Sequence, residues 1–393
     1  MRQRRLPAGG ANVFQKVRAK RTEAQARGVT LLDLSIGEPQ GPALESARIA
    51  ARDAVMSEAE AMHAYQYNMS PGVPEFPERF VTGHLSRDLS GQDVAYLPIP
   101  GIKPILGLLP LACGAALGPL TVATMTRPGF PIPADWCAYL HHVTHVPLPT
   151  NSANAFRFAP SEIPDGTGLL MINYPHNPSG QVATRDWLAE ICGHCAANDI
   201  RLFNDAAYIA LAHTEENAAL AEVAVDFPEL SWCEAFTAAK LIGNGTGWHV
   251  GSMVGSPDFI ADLAEVKGKT DTGYVAPMAA GALAALDHDR ASIDAGRETY
   301  RRRLETLAAL MQESGMRLAL DPAAGFYTLW EAPTRAFGRK MDSSEDFNLT
   351  MIDEVGVVGV HFPGYVRYAV CADVDAMAPQ LREAFQKAAP GYD

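Results

Sequence analysis

Leu169-Leu170-Met171-Ile172-Asn173-Tyr174-Pro175-His176-Asn177-Pro178-Ser179-Gly180 passes from four apolar residues straight into a turn rich in Asn, Pro, Ser and Gly. Such a run, closed by turn residues, reads as a buried strand with a tight exit. The same grammar occurs twice more. Arg201-Leu202-Phe203-Asn204 leads into Asp205-Ala206-Ala207-Tyr208, and Ser231 to Phe236 leads into Thr237-Ala238-Ala239-Lys240. Asp205 lies 28 residues after Asn177, and Lys240 lies 35 residues after Asp205. The stretches Arg185 to Asn198 and Ala218 to Val223 beside these strands read as helices. Alternation of this kind predicts an α/β fold with a mostly parallel mixed sheet flanked by helices.

Working outward, Thr121 to Thr126, His142 to Leu148 and Gly251 to Val254 supply further short strand patterns. Ser256 to Val266 opens with a Ser-Pro-Asp helix entry, and Ala276 to Leu286 and Ala291 to Ser314 continue as helices. Beyond Met316 come the strand patterns Phe326 to Trp330, Val357 to Val360 and Val366 to Val370, then a closing helix from Ala376 to Lys387. The expected division is a large domain over 46–290 and a smaller α+β domain over 291–393. Residues 1–45 are expected to form an N-terminal arm and part of the smaller domain.

With 393 residues, 48% hydrophobic and 20% charged, the chain has material for two cores and is not a disordered polymer. Its formal net charge of −13 excludes the basic balance of a nucleic-acid binder. The basic residues Arg2, Arg4, Arg5, Lys16, Arg18, Lys20 and Arg21 read as a solvated arm and helix face, or as an arm that docks on a partner subunit. No apolar run is long enough to span a bilayer and no secretory pattern follows the first arginines, so a cytoplasmic protein is expected. Cys192-Gly193-His194-Cys195 has redox or half-zinc spacing, but no second pair accompanies it, and packing inside a helix is the expectation. No metal site is expected.

Ligands of such sheets collect beyond the carboxyl ends of the strands, so the three exits are where chemistry is sought. Taken alone, each residue has a plain reading: Asn177 in a tight turn, Asp205 as a helix cap, Lys240 as a surface-loop lysine. Together, in this order and spacing, the exits resemble the class I/II aminotransferase family of fold-type-I pyridoxal-phosphate enzymes. Leu34-Ser35-Ile36-Gly37-Glu38-Pro39, Tyr65 to Glu75 and Tyr365-Val366-Arg367-Tyr368 extend the resemblance over nearly the whole chain.

That resemblance implies pyridoxal 5'-phosphate as cofactor, held by Lys240 as a Schiff base, with Lys240 also moving the substrate proton. It implies Asp205 against the pyridine nitrogen, Asn177 and Tyr208 on the ring 3'-oxygen, and Phe130 stacked on the ring, although a core phenylalanine is an equally plain reading of Phe130. Backbone amides at Gly101-Ile102-Lys103 and the Thr237 hydroxyl are expected at the phosphate. Arg367 is expected to clamp the substrate α-carboxylate, with the Gly37 amide and Asn177 beside it. Tyr67 is similar to a family tyrosine that reaches the phosphate of the other subunit, which implies a homodimer with shared active sites.

The chain departs from the family in places. Gly247-Trp248-His249-Val250-Gly251 carries a histidine where the family has a phosphate-binding arginine, one residue later than expected. Histidine offers a single N–H and a titrating charge, so weaker or pH-dependent cofactor retention is expected if His249 is the phosphate ligand. The segment Val360 to Gly364 before Arg367 is short for the family, and Ala239 stands in place of a hydroxyl residue. The expected activity is transfer of an amino group between an L-amino acid and a 2-oxo acid. A lyase or another amino-acid-modifying reaction on the same cofactor is the alternative, and a non-catalytic cofactor-binding regulatory domain a third.

Overall fold

The computed structural model describes residues 13–392; Arg2, Arg4 and Arg5 of the basic arm lie outside the described residues. In chain order the strands are β1 Leu32–Asp33, β2 Ala95–Ile99, β3 Leu120–Thr124, β4 Val143–Pro147, β5 Thr167–Ile172, β6 Arg201–Asp205, β7 Trp232–Thr237 and β8 Gly251–Gly255. They are followed by β9 Tyr327–Glu331, β10 Arg335–Ala336, β11 Arg339–Lys340, β12 Val357–Val358, β13 Val360–Phe362 and β14 Tyr365–Ala369. Seven of them form one sheet in the order β2-β8-β7-β6-β5-β3-β4, in which β8 alone runs against its neighbours.

The alternation of side chains along a strand decides what covers each face. Leu170 and Ile172 of β5 enter one buried cluster with Trp187, Leu188 and Ile191 from the helix Arg185–Ala197. Leu169 and Met171 enter another, with Ile105 and Leu106 from the helix Ile102–Leu106 and Phe259 and Leu263 from the helix Pro257–Lys267. A sheet covered on both faces exposes its function only at its ends, and β5, β6 and β7, being parallel, bring Asn177, Asp205 and Lys240 to the same end.

That end is braced from within by Glu234, a fully buried residue in the middle of β7. Its carboxylate accepts the Leu220 and Ala221 amides at 3.0 and 2.8 Å and the Asn204 amide at 2.7 Å. Asn204 in turn accepts the Tyr174 N–H at 2.9 Å and donates to the Tyr174 carbonyl at 3.1 Å. One carboxylate thus links the turn after β5, the strands β6 and β7 and the helix Leu220–Ala224, and burial pushes its pKa up to about 7.

A separate buried cluster gathers Leu304, Leu307, Leu310 and Met311 of the 24-residue helix Arg290–Glu313 with Trp330, Tyr368, Phe347 and Phe385. The strands β13-β14-β9 form an antiparallel sheet there, and β1 pairs in parallel with β12. Val17 and Ala24 of the helix Val13–Ala26 pack on Ile352 and Val358, so the described N-terminal residues join the C-terminal elements. Cys192 and Cys195 are both fully buried in the helix Arg185–Ala197 against the sheet, as packing in a helix requires. Among the described residues no helix is long and apolar enough to cross a membrane.

Among the elements that escaped the sequence patterns, two show why. β2 contains Pro98, which has no N–H to give and is tolerated because β2 is an edge strand. The helix Ser344–Val355 places Asn348 at a fully buried position, which breaks the apolar period; its side chain instead bonds the Gly359 backbone in both directions, at 3.1 Å each. Replacing Glu234 with Ala strands two amide N–H groups and the Asn204 side chain. The expected loss is roughly 3 kcal/mol in a denaturant titration, whereas Glu305→Ala, on an exposed helix face, is expected to leave stability within about 0.5 kcal/mol.

Candidate active site

The turn after β5 is fixed by its own side chains. Asn173 donates from its amide to the Asp205 carbonyl at 2.8 Å and accepts the Asn177 N–H at 3.1 Å, so the exits of β5 and β6 are tied together. His176 bonds Ser179 at 2.7 Å, and Gly180 adopts φ 69° with Pro322 and Ala324 pressed against its Cα. Only a glycine meets both demands.

Asn177 is thereby aimed at Arg367 of β14. The guanidinium donates to the Asn177 side-chain oxygen at 2.9 Å and to the Ser35 carbonyl at 2.9 Å, and lies 4.2 Å from the centroid of the Tyr327 ring. The residue is 2% exposed, yet its Nε has no hydrogen-bond partner among the described residues. Among the described residues no carboxylate bonds this guanidinium, and an uncompensated buried charge costs several kcal/mol.

Tyr327 draws two more expected residues into the cluster. Its hydroxyl lies 3.1 Å from that of Tyr208, and a Cβ added to Gly37 would sit 1.9 Å from the same hydroxyl. Gly37 is therefore glycine because Tyr327 approaches it, a reason independent of any turn. Burial pushes both tyrosine hydroxyls up from their ordinary range.

Phe130 and Asp205 line one small cavity with Thr124, Thr126 and Asn173. Asp205 accepts the Ala207 N–H at 3.1 Å, and burial raises its carboxyl from 3.8 to about 6. Lys240 leaves the turn after β7 with its amine 5.9 Å from the Phe326 ring; burial lowers its pKa, opposed by Cys371, Glu38 and Asp205. A buried acid without a bonded cation, beside an aromatic ring, and a half-buried amine biased toward its neutral form fit a flat, protonated heteroaromatic cofactor that bears an aldehyde.

The expected phosphate donors surround the exits less tightly. Gly101 precedes the helix Ile102–Leu106 with φ 86° and open space where a Cβ would lie, and Lys103 is exposed. The Thr237 hydroxyl accepts the Ala239 N–H at 3.2 Å. His249 is exposed at φ 53°, and Tyr67, 51% exposed at φ 45°, stands outside the cluster beside Tyr65.

Sequence reasoning assigned no role to Asn173, Ser35 or Tyr327, although all three lay in segments it singled out. Asn173 opens the turn, and a polar residue at the last position of an apolar strand was the available signal. Tyr327 carried none, since an aromatic in a strand is ordinary.

Comparison with known proteins gives the family and the fold. A sequence model described as aminotransferase class I and II matches residues 29–385. The LL-diaminopimelate aminotransferase of Methanocaldococcus jannaschii is 28% identical over 370 residues, covering 91% of this chain and 85% of that protein. The enzyme of the same name from Syntrophobacter fumaroxidans is 26% identical, covering 95% of each. Among solved structures, the Rhizobium meliloti aspartate aminotransferase superposes with a TM-score of 0.83 at 19% identity, covering 99% of this chain and 98% of that one. Substrate-bound BacF of Bacillus subtilis gives 0.82 at 20% identity, over 98% and 97%. Both confirm the fold.

The raised carboxyl of Asp205 has a definite sign. Its cost to the cofactor-free protein is absent below 3.8 and complete above about 6, an interval worth roughly 3 kcal/mol. Asp205→Asn is expected to stabilise the cofactor-free protein at pH 8, to leave it unchanged near pH 3.5, and to weaken cofactor binding; thermal melts at the two pH values check the first pair.

Proposed function

The chain belongs to the class I and II aminotransferase family, and we propose that Lys240, Asp205, Asn177 and Arg367 carry the family reaction in it. It is a pyridoxal-phosphate-dependent aminotransferase, moving an amino group between an amino acid and a 2-oxo acid. The observation that carries the assignment of residues is the buried guanidinium of Arg367, held by Asn177 and Ser35 with its Nε unpartnered.

When bound, the cofactor supplies an electron sink for the pair left on the substrate α-carbon. Asp205 would pair with the protonated ring nitrogen, its carboxylate regaining in that pair what burial takes away. Phe130 would stack on the ring, and Asn177 and Tyr208 would donate to the 3'-oxygen, with Tyr327 beside the Tyr208 hydroxyl. Backbone amides after Gly101, the Thr237 hydroxyl and His249 would hold the phosphate. Arg367 takes the substrate α-carboxylate through its free N–H groups, assisted by the Gly37 amide, and so aligns the α-C–H bond with Lys240. Lys240, whose pKa burial lowers, is the group placed to accept that proton and return it.

The division into a large domain over 46–290 and a small one over 291–393 joined by residues 1–45 is supported by the separate buried clusters around the two sheets. A homodimer is supported by the exposed apolar residues Met56, Tyr65, Tyr67, Met69 and Val275, which include the tyrosine expected to cross to the other subunit.

The donor is sought among L-amino acids, LL-diaminopimelate included because the relatives are named for it. Mixing the holoenzyme with each donor in the absence of a 2-oxo acid should release about one equivalent of 2-oxo acid per subunit from the true donor and no ammonia. Continuous ammonia release would mean elimination and defeat the reading. Arg367→Lys is expected to raise KM for that donor roughly a hundredfold, and Lys240→Ala to abolish turnover. His249→Arg is expected to slow cofactor loss in dialysis about tenfold, since a permanent, forked cation replaces one N–H.

A further inference from the structure

Lys240 borders a second cavity, of about 360 Å³, between its own turn and the helix Arg290–Glu313. This cavity shares no lining residue with the one that holds Phe130 and Asp205, and neither Arg367 nor Asn177 faces it. The chain carries 45 acidic residues against 32 basic ones, yet Lys240, Arg297 and Arg303 line this space and no acidic residue does. The Arg303 guanidinium donates to the Cys371 carbonyl at 3.3 Å and lies 3.5 Å from Asp373, but its Nε is buried without a partner. Arg297 is 3.2 Å from Asp294. The Tyr300 hydroxyl adds a donor, and Leu44, Leu211 and Leu241 supply an apolar wall.

Arg297 and Arg303 stand six residues apart on one helix, about 9 Å along its axis. A single small ion cannot meet both. A molecule with anionic groups at its two ends and a short carbon stem can, and the volume suits one. Room is left for it at Gly296, where an added Cβ would meet nothing within 4 Å. We propose that this cavity is a second ligand site, for a small organic dianion, which restrains the enzyme from outside the site that holds the amino-acid donor.

The restraint follows from place. An anion beside Lys240 stabilises the charged amine, and only the neutral amine accepts the substrate proton. The occupant also spans Leu241 of the turn after β7 and Cys371, which belong to different buried clusters. Inhibition rests on Lys240 being the catalytic amine, whereas binding rests on the cavity alone.

The test uses holoenzyme, with two probes anionic at both ends, succinate with two carboxylates and 3-phosphoglycerate with a carboxylate and a phosphate ester, and acetate as the single-charge control. Calorimetry at saturating donor should detect one dianion per subunit, and rates should show inhibition that more donor does not relieve. Gly296→Leu fills the space without touching a charge, and Arg303→Gln removes the unpartnered Nε. Each should weaken dianion binding at least tenfold while KM for the donor stays within about twofold of the parent. The stronger of the two probes identifies which anionic end the cavity prefers. Inhibition that is purely competitive with donor and indifferent to both variants would overturn the site. Binding sensitive to Gly296→Leu but without inhibition would uphold the site and overturn its coupling to Lys240. Lys240→Ala inactivation, measured separately, distinguishes either failure from a wrong choice of catalytic lysine.

Discussion

The buried guanidinium of Arg367 is the constraint to which the rest of the structure answers. Its hydrogen bonds reach Asn177 in the turn after β5 and Ser35 near the N-terminus, three segments remote in sequence and brought to one point. Burying such a charge is costly unless it is nearly fully satisfied. The fold supplies two oxygens and the face of Tyr327, and leaves Nε open. On the proposed assignment a ligand carboxylate would complete the set, and the affinity for substrate would come partly from a cost already met during folding.

The same logic governs the other end of the site. Asp205 is buried and Lys240 half-buried, and burial pushes each toward its neutral form, the acid upward and the amine downward. Left alone, each weakens the fold. A cofactor with a cationic ring nitrogen answers the first, and chemistry that needs a free amine exploits the second. Glu234 stands one layer beneath as a structural counterpart: also buried, also raised, but saturated by three N–H donors and directed at no ligand. The contrast separates a carboxylate that builds the sheet end from one that waits at its mouth.

The sequence was most legible where chain geometry is local. Strand exits carrying Asn177, Asp205 and Lys240 were readable because an apolar run that stops at turn residues can be seen within ten positions. The apolar period found the helices Arg185–Ala197 and Arg290–Glu313 for the same reason. What stayed hidden depends on contacts across the chain. Tyr327 meets Gly37 and Tyr208 only after β9 has paired with β14, and nothing near position 327 announces it. Asn348 is a polar residue at a buried helix position, held there because the backbone of Gly359 lies opposite. His249 illustrates the reverse: its departure from the family was plain in sequence, while its exposure and positive φ are visible only in three dimensions.

The short segment before Arg367 becomes intelligible once the N-terminal helix is in place. Phe362 pairs with Tyr365 across a two-residue Pro363-Gly364 turn, with Gly364 at φ 78°, so β13 and β14 close as a tight hairpin and no loop extends over the guanidinium. The helix Val13–Ala26 comes up against that hairpin and sets the Phe14 ring 5.6 Å from the Arg367 guanidinium. It is held there by Lys16 on Glu345, Arg21 on Asp33 and Lys20 on Asp353, and by Val17 and Ala24 packed on Ile352 and Val358. The surface ion pairs contribute little each, so the apolar contacts fix the helix and the charges set its register. Of the basic residues of the N-terminal region, Lys16, Lys20 and Arg21 therefore pair within the chain, and the same helix places Phe14 beside Arg367.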